Sequence, residues 1–125
     1  MIRVALCDDD EGFRALVRAV LSGESDMEVV SESGDGVACL ERIAEMRADV
    51  LLIDLVMPRM LGFEAISKVA DASPDTRVVV LSSQPADRVE SAVRRLGAVG
   101  FVGKGDAQLV DALPGHVRAA LRDAA

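Results

Sequence analysis

The stretch Val50-Leu51-Leu52-Ile53-Asp54-Leu55-Val56-Met57-Pro58 sets an uninterrupted aliphatic run directly before a carboxylate. Such a run is how a strand reads when helices cover both of its faces, because a strand with one wet face would alternate apolar and polar residues. Val78-Val79-Val80-Leu81 repeats the signature, Ile2 to Cys7 and Ala98 to Val102 resemble it, and Glu28-Val29-Val30-Ser31 is a weaker fifth candidate. Between these runs the apolar period changes to that of a helix. Phe13, Leu16, Val17, Val20 and Leu21 fall on one helical stripe, as do Val37, Leu40 and Ile43, then Phe63, Ile66 and Val69, then Val89, Val93 and Leu96. Asp10, Asp35 and Asp106 stand where N-caps belong. Leu109, Leu113, Val117 and Leu121 keep helical register through Pro114, whose missing N–H and ring clash with the Val110 carbonyl predict a bend or restart there. Val99 and Phe101, two residues apart, are expected on one face of the fifth strand.

Five strands, each followed by a helix, predict a doubly wound α/β fold with a parallel sheet, right-handed crossovers and helices on both faces. In such folds the functional crevice lies beyond the carboxyl ends of the strands. The 125 residues contain no linker, repeat or low-complexity run, so residues 1–125 read as one domain. With 50% apolar and 28% charged residues the chain has the balance of a globular protein. The 14 Lys and Arg against 21 Asp and Glu leave a net charge of -7, a field that repels nucleic-acid backbones and anionic lipid surfaces. The first residues run from Met1 through Cys7 straight into Asp8, without the basic start and long apolar run of an export signal, and no apolar stretch is long enough to span a bilayer. A cytoplasmic location is expected. Cys7 and Cys39 stand far apart with no Cys-x-x-Cys spacing, so two reduced, buried thiols are expected rather than a zinc site or a disulfide.

The predicted strands deliver a defined chemistry to one rim. The first ends in Asp8-Asp9-Asp10-Glu11, the third in Asp54, the fourth in Ser82-Ser83, and Lys104 follows the fifth. Like charges about 4 Å apart repel by roughly 1 to 4 kcal/mol per pair at effective dielectrics between 80 and 20, so such a cluster calls for a cation. A few carboxylates with room left for water and phosphate oxygens is the pattern of magnesium, whereas calcium takes more oxygen ligands in a flexible loop. Asp10 and Glu11 read as the cap and first turn of the first helix. Asp54, abutting the most apolar strand, reads as functional.

Asp8-Asp9 after the first strand, Asp54 followed by Met57-Pro58 and Gly62, Ser82 ending the fourth strand, and Gly97-Ala98-Val99-Gly100-Phe101 leading to Lys104 together resemble the receiver domains of two-component response regulators. The resemblance covers essentially the whole chain and is closest to receivers of the LuxR or NarL type, through Gly34-Asp35-Gly36 and the segment from Gly97 to Lys104. It implies a five-stranded sheet in the flavodoxin-like order 2-1-3-4-5. It implies that Asp54 accepts a phosphoryl group from a phosphohistidine on a sensor histidine kinase, and that Asp9, Asp54 and the Val56 carbonyl hold Mg2+ with Asp8 acting through water. Lys104 would pair with the phosphoryl oxygens, Ser82 would donate to one of them, and Phe101 would turn inward as the aromatic partner of Ser82 in the switch. The chain would be a phosphoacceptor that assists its own phosphorylation and dephosphorylation rather than an enzyme with a separate substrate. Its output would be transcription through a DNA-binding domain that is not in this sequence.

Three positions depart from the family pattern: Leu61 replaces a common Asp, Gly105 follows the lysine where Pro or Asp is usual, and Val56 offers the site an apolar side chain. His116, the sole histidine, has no acidic or basic neighbour spaced to support a phosphohistidine role. Two other classes compete, a receiver-like docking module that takes no phosphate and a hydrolase with an aspartyl-phosphate intermediate. The hydrolase would want a second acid where Val56 stands. Arg88, Glu90, Arg94, Arg95, Asp106, Asp111 and Arg118 give the last two helices a mixed-charge surface on which a second copy could dock after phosphorylation.

Overall fold

The computed structural model describes residues 1–57, 60 and 62–122. Strands and helices alternate along the chain: β1 Ile2–Cys7, α1 Glu11–Ser22, β2 Met27–Ser33, α2 Gly36–Met46, β3 Val50–Asp54, α3 Gly62–Ala72, β4 Arg77–Ser82, α4 Ala86–Arg95, β5 Ala98–Gly103 and α5 Leu109–Arg122. The strands are parallel in the order β2-β1-β3-β4-β5. All five residues of β3, the central strand, are buried. Its side chains alternate between two cores. Leu51 and Ile53 join Ile43, Ile66 and Val93 on the side of α2, α3 and α4, while Val50 and Leu52 join Leu21, Leu113 and Val117 on the side of α1 and α5. This two-sided burial is the reason the run could not alternate with polar residues.

Asp10 and Asp35 are the N-caps expected of them, accepting from Phe13 N–H at 3.0 Å and Ala38 N–H at 2.8 Å. Asp106 is not. Its carboxylate accepts from Gln108 N–H at 2.9 Å and its carbonyl from Leu109 N–H at 3.1 Å, which closes a separate turn ahead of α5. That helix also does not restart at Pro114. It runs unbroken from Leu109 to Arg122 with Pro114 buried, packing of the flanking Leu113 and Val117 outweighing the one lost bond. Leu16 departs from its predicted stripe and is exposed, since α1 buries Val17 and Leu21 instead.

The expectation that Val99 and Phe101 share a face is overturned by a bulge. Val78 pairs with Ala98, but Val79 pairs with Gly100, so Val99 is skipped. One extra residue reverses which way the next side chains point. Val99 therefore packs with the α1 and α5 core and Phe101 with the α2, α3 and α4 core. A second irregularity, between Val4 and Ala5 of β1, skips Val30 of β2 in the same way.

Candidate functional site

The register of the sheet assembles the rim. Cys7 of β1 lies opposite Ile53 of β3, so the next residues, Asp8 and Asp54, emerge side by side. Ser82, the last residue of β4, lies opposite Gly103 of β5, and Lys104 N–H donates to the Ser82 carbonyl at 2.8 Å, which fixes where the lysine leaves the sheet. The α3 terminus is pressed against the end of β3: a Cβ on Gly62 would lie 2.5 Å from the Asp54 carbonyl oxygen, so only glycine fits there. Gly62 N–H donates to the Leu55 carbonyl at 2.9 Å.

Carboxylate oxygens of Asp8, Asp9 and Asp54 gather within 4.8 Å of one another. Asp8 is 3% and Asp54 7% exposed, whereas Asp9 faces solvent. Lys104 reaches between the two buried acids, with Nζ 2.6 Å from Asp8 Oδ2 and 3.1 Å from Asp54 Oδ2. It donates a hydrogen bond to Asp54 and lies 4.5 Å from the centre of the Phe13 ring, a favourable seat for a cation. Its 2.6 Å contact with Asp8 Oδ2 is an ion pair, and among the described residues that buried oxygen has no other polar partner. Asp8 Oδ1 accepts from Asp10 N–H at 2.9 Å. Burial pushes the Asp8 carboxyl above its ordinary range, more than Lys104 and the Asp10 N–H pull it down, and the Asp54 charge adds to the rise. Burial alone would lower Lys104, but its contacts with Asp8 and Asp54 together outweigh that and hold its ammonium more firmly protonated.

The remaining predicted positions are placed as follows. Val56 N–H faces Asp54 Oδ1 at 3.4 Å, and the Val56 side chain is exposed beside the acids. Ser82 is buried, its hydroxyl oxygen accepting from Gln84 N–H at 3.0 Å. Phe101 is half-buried against the α2, α3 and α4 core. The turn containing Gly105 is closed by Asp106 N–H to the Gly103 carbonyl at 3.2 Å, with open space around Gly105. Pro58 and Leu61 lie outside the described residues. On the expected docking face, Arg94 bonds to Glu90 and to the Val99 carbonyl, and Arg118 turns away to Glu24 and Asp26, which removes Arg118 from that surface.

Sequence reasoning missed Arg14. From the second turn of α1 its Nη1 donates to the Asp8 carbonyl at 2.6 Å, and its Nε lies 3.5 Å from Glu32 Oε1. Glu32 also accepts from Arg18 at 2.6 Å, and its carbonyl accepts from Arg42. The signal available was a basic residue placed to return from the helix to the acidic loop.

Residues 4–113 match the response regulator receiver domain family, and the chain belongs to it. Its relatives are response regulators of the NarL and YxjL type. It is 36% identical over 124 residues to the uncharacterized transcriptional regulatory protein YxjL of Bacillus subtilis, covering 99% of this chain and 54% of that protein. The chain thus spans about half the length of that relative. The receiver domain of the putative response regulator NarL from Mycobacterium tuberculosis superposes with a TM-score of 0.83 at 32% identity, covering 94% of this chain and 96% of that one. The response regulator domain of Thermotoga maritima CheB gives 0.89 at 27% identity, covering 98% and 97%. Among the described residues no helix is long and apolar enough to cross a membrane.

Proposed function

We propose that this chain, residues 1–125 acting as one receiver domain, is a magnesium-dependent switch whose phosphoacceptor is Asp54. The observation that carries this reading is the convergence of Asp8, Asp9 and Asp54 within 4.8 Å under a lysine shared by the two buried acids. The donor set fits a hard divalent cation: it is all oxygen, it holds more negative charge than one ammonium offsets, and the buried Asp8 Oδ2 has Lys104 as its one polar partner among the described residues. Asp9, Asp54 and the Val56 carbonyl would hold Mg2+ directly, and Asp8 through water. When bound, the metal supplies charge neutralisation at the phosphoryl oxygens.

Asp54 is an anionic nucleophile that needs no general base. Its oxygen forms a bond to phosphorus as the bond from phosphorus to a phosphohistidine nitrogen of a sensor histidine kinase breaks, and the imidazole leaves with the electron pair. Lys104 is already beside the attacking carboxylate, so it can pair with phosphoryl oxygens as negative charge arrives. The new group brings about -1.5 to -2 charge and several acceptors, which draw the Ser82 hydroxyl and Lys104 inward. Phe101, on the α4 side of a bulged β5, follows Ser82 and transmits the change to α4. The phosphorylated form then associates with a second copy through the face carrying Arg88 and Arg95, or engages a DNA-binding output in a longer protein.

Intact-mass measurement after incubation with acetyl phosphate and Mg2+ tests this reading. A stable gain of about 80 Da per chain is expected. No gain would favour the docking module, and rapid turnover without an adduct the hydrolase.

A further inference from the structure

Asp9 joins the rim without a hydrogen bond of its own. Among the described residues neither its side chain nor its main chain makes one, and its carboxylate is exposed, yet an oxygen of it stands within 4.8 Å of those of Asp8 and Asp54. Its direction is fixed by the peptide before it. A peptide unit is planar, so the Asp8 carbonyl and the Asp9 N–H turn together, and with them the point at which the Asp9 side chain leaves the chain. Arg14 holds that peptide, its Nη1 donating to the Asp8 carbonyl at 2.6 Å, while Asp8 N–H donates to the Ser33 carbonyl at 3.0 Å. Arg14 is held in turn. Its Nε is buried and faces Glu32 Oε1 at 3.5 Å, and Glu32 Oε2 accepts from Arg18 at 2.6 Å. The Arg14 side chain is only 20% exposed, so its charge is largely withdrawn from water and takes Glu32 as its counter-charge.

We infer that Arg14, backed by Glu32, is a positioning residue of the rim: it sets the orientation of the Asp8–Asp9 peptide and thereby aims the Asp9 carboxylate at those of Asp8 and Asp54. This role presupposes the proposed reading of the three acids as a Mg2+ site. Arginine suits it because a planar guanidinium donates in fixed directions, so one edge meets Glu32 while another meets the carbonyl. A lysine ammonium is a single point and cannot serve both.

The competing role is simple charge, with Arg14 offsetting the acids around it. The two roles give opposite signs. A cation beside three carboxylates opposes the entry of a second cation, so deleting it for its charge alone tightens Mg2+ binding. Losing the aim of Asp9 weakens it, as the loss of an outer residue that orients a metal ligand does.

Magnesium chloride titrated into the full chain, followed by amide chemical shifts, separates the two. The parent is compared with Arg14→Gln, Arg14→Lys, Glu32→Gln and the double variant of Arg14→Gln with Glu32→Gln. Arg14→Gln should bind Mg2+ about tenfold more weakly, and Arg14→Lys should also bind more weakly although it keeps the charge. Glu32→Gln should cost less in the Arg14→Gln background than in the parent, because Glu32 acts through Arg14. Unchanged or tighter binding by Arg14→Gln overturns the inference, as do an Arg14→Lys chain that binds like the parent and losses that simply add in the double variant. If circular dichroism shows that Arg14→Gln does not fold, Arg14→Lys decides in its place, weaker binding supporting the role and parental binding overturning it. Variants that bind as well as a Mg2+-binding parent remove Arg14 and leave the metal site standing, whereas a parent that binds no Mg2+ removes both.

Discussion

At the amino ends of the strands, Asp49 Oδ2 accepts the Arg3 backbone N–H at 2.8 Å and Arg3 Nη2 donates to the Met46 carbonyl at 2.7 Å. The buried Thr76 donates to the Ala48 carbonyl at 2.7 Å, so the 2.6 Å contact between the Ser73 and Thr76 hydroxyls must use the Ser73 proton. At the carboxyl ends two buried carboxylates share a single ammonium, and a third, exposed carboxylate stands within 4.8 Å of them. The first arrangement satisfies its polar groups and stabilises the fold. The second holds like charges together because the strands that carry them are fixed by their own cores. Proteins depart from local consistency at sites built for a ligand, and the departure here is confined to one end of the sheet.

The largest expected effect lies at the strained end. Asp54→Asn keeps the size and burial of the side chain but removes the nucleophile, so acetyl phosphate should give no adduct while the circular dichroism spectrum is unchanged. An acid-labile, hydroxylamine-sensitive label retained in that variant would reject Asp54. Next comes a matched pair of variants, one at each end. Asp9→Ala removes an exposed charge, so Mg2+ affinity should fall by about tenfold or more, while the metal-free thermal midpoint stays level with the parent's or rises. Thr76→Val strands the Ala48 carbonyl and the Ser73 hydroxyl, so stability should fall by roughly 1 to 3 kcal/mol with Mg2+ affinity unchanged. Calorimetry and chemical denaturation of both variants check this. If Thr76→Val also weakened metal binding, the two ends would be coupled and the contrast would fail. A smaller effect is expected of Ser82→Ala, which keeps acceptor and metal ligands. Phosphorylation should persist, and the change in amide exchange across α4 on phosphorylation should shrink. An undiminished change would remove Ser82 from the switch.

How much of this was legible in the sequence divides along the same line. The strands of the sheet were readable because burial on both faces forces long aliphatic runs, and Asp54 stood out because a charge follows the most apolar of them. The rim acids and Lys104 could be placed because each lies within a residue or two of a strand end. What escaped depends on pairing between strands. Whether Val99 and Phe101 share a face was decided by a register shift against β4, which no spacing within β5 records. Cys7 Sγ and the Cys39 N–H share the Asp35 carbonyl because α2 packs beside β1, and the 31 intervening residues carry no trace of it. Arg14 looked like one more charge on an amphipathic helix, because its partner is a backbone carbonyl rather than a side chain.

The smallest expected effect sharpens the contrast through pH. Asp26, just ahead of β2 at the amino end, accepts from Arg118 Nε and Nη2 at 2.9 Å each, and Arg118 also donates to Glu24 at 2.6 Å. These bonds hold the Asp26 carboxyl below its ordinary 3.8, the opposite direction from Asp8 at the rim. A carboxyl whose folded value is depressed binds its proton more weakly in the native than in the unfolded chain. Its contribution to stability is therefore present above 3.8 and is lost as the pH falls through the folded value. Asp26→Asn should consequently lower the thermal midpoint slightly at about pH 6 and make progressively less difference on acidification below 3.8. The pair is solvent-exposed, so the effect should also shrink as salt is raised to about 1 M. Thermal scans of parent and variant across that pH range, at low and high salt, measure it. A gap that widens on acidification, or that ignores salt, would mean that Asp26 acts through something other than its ion pair with Arg118.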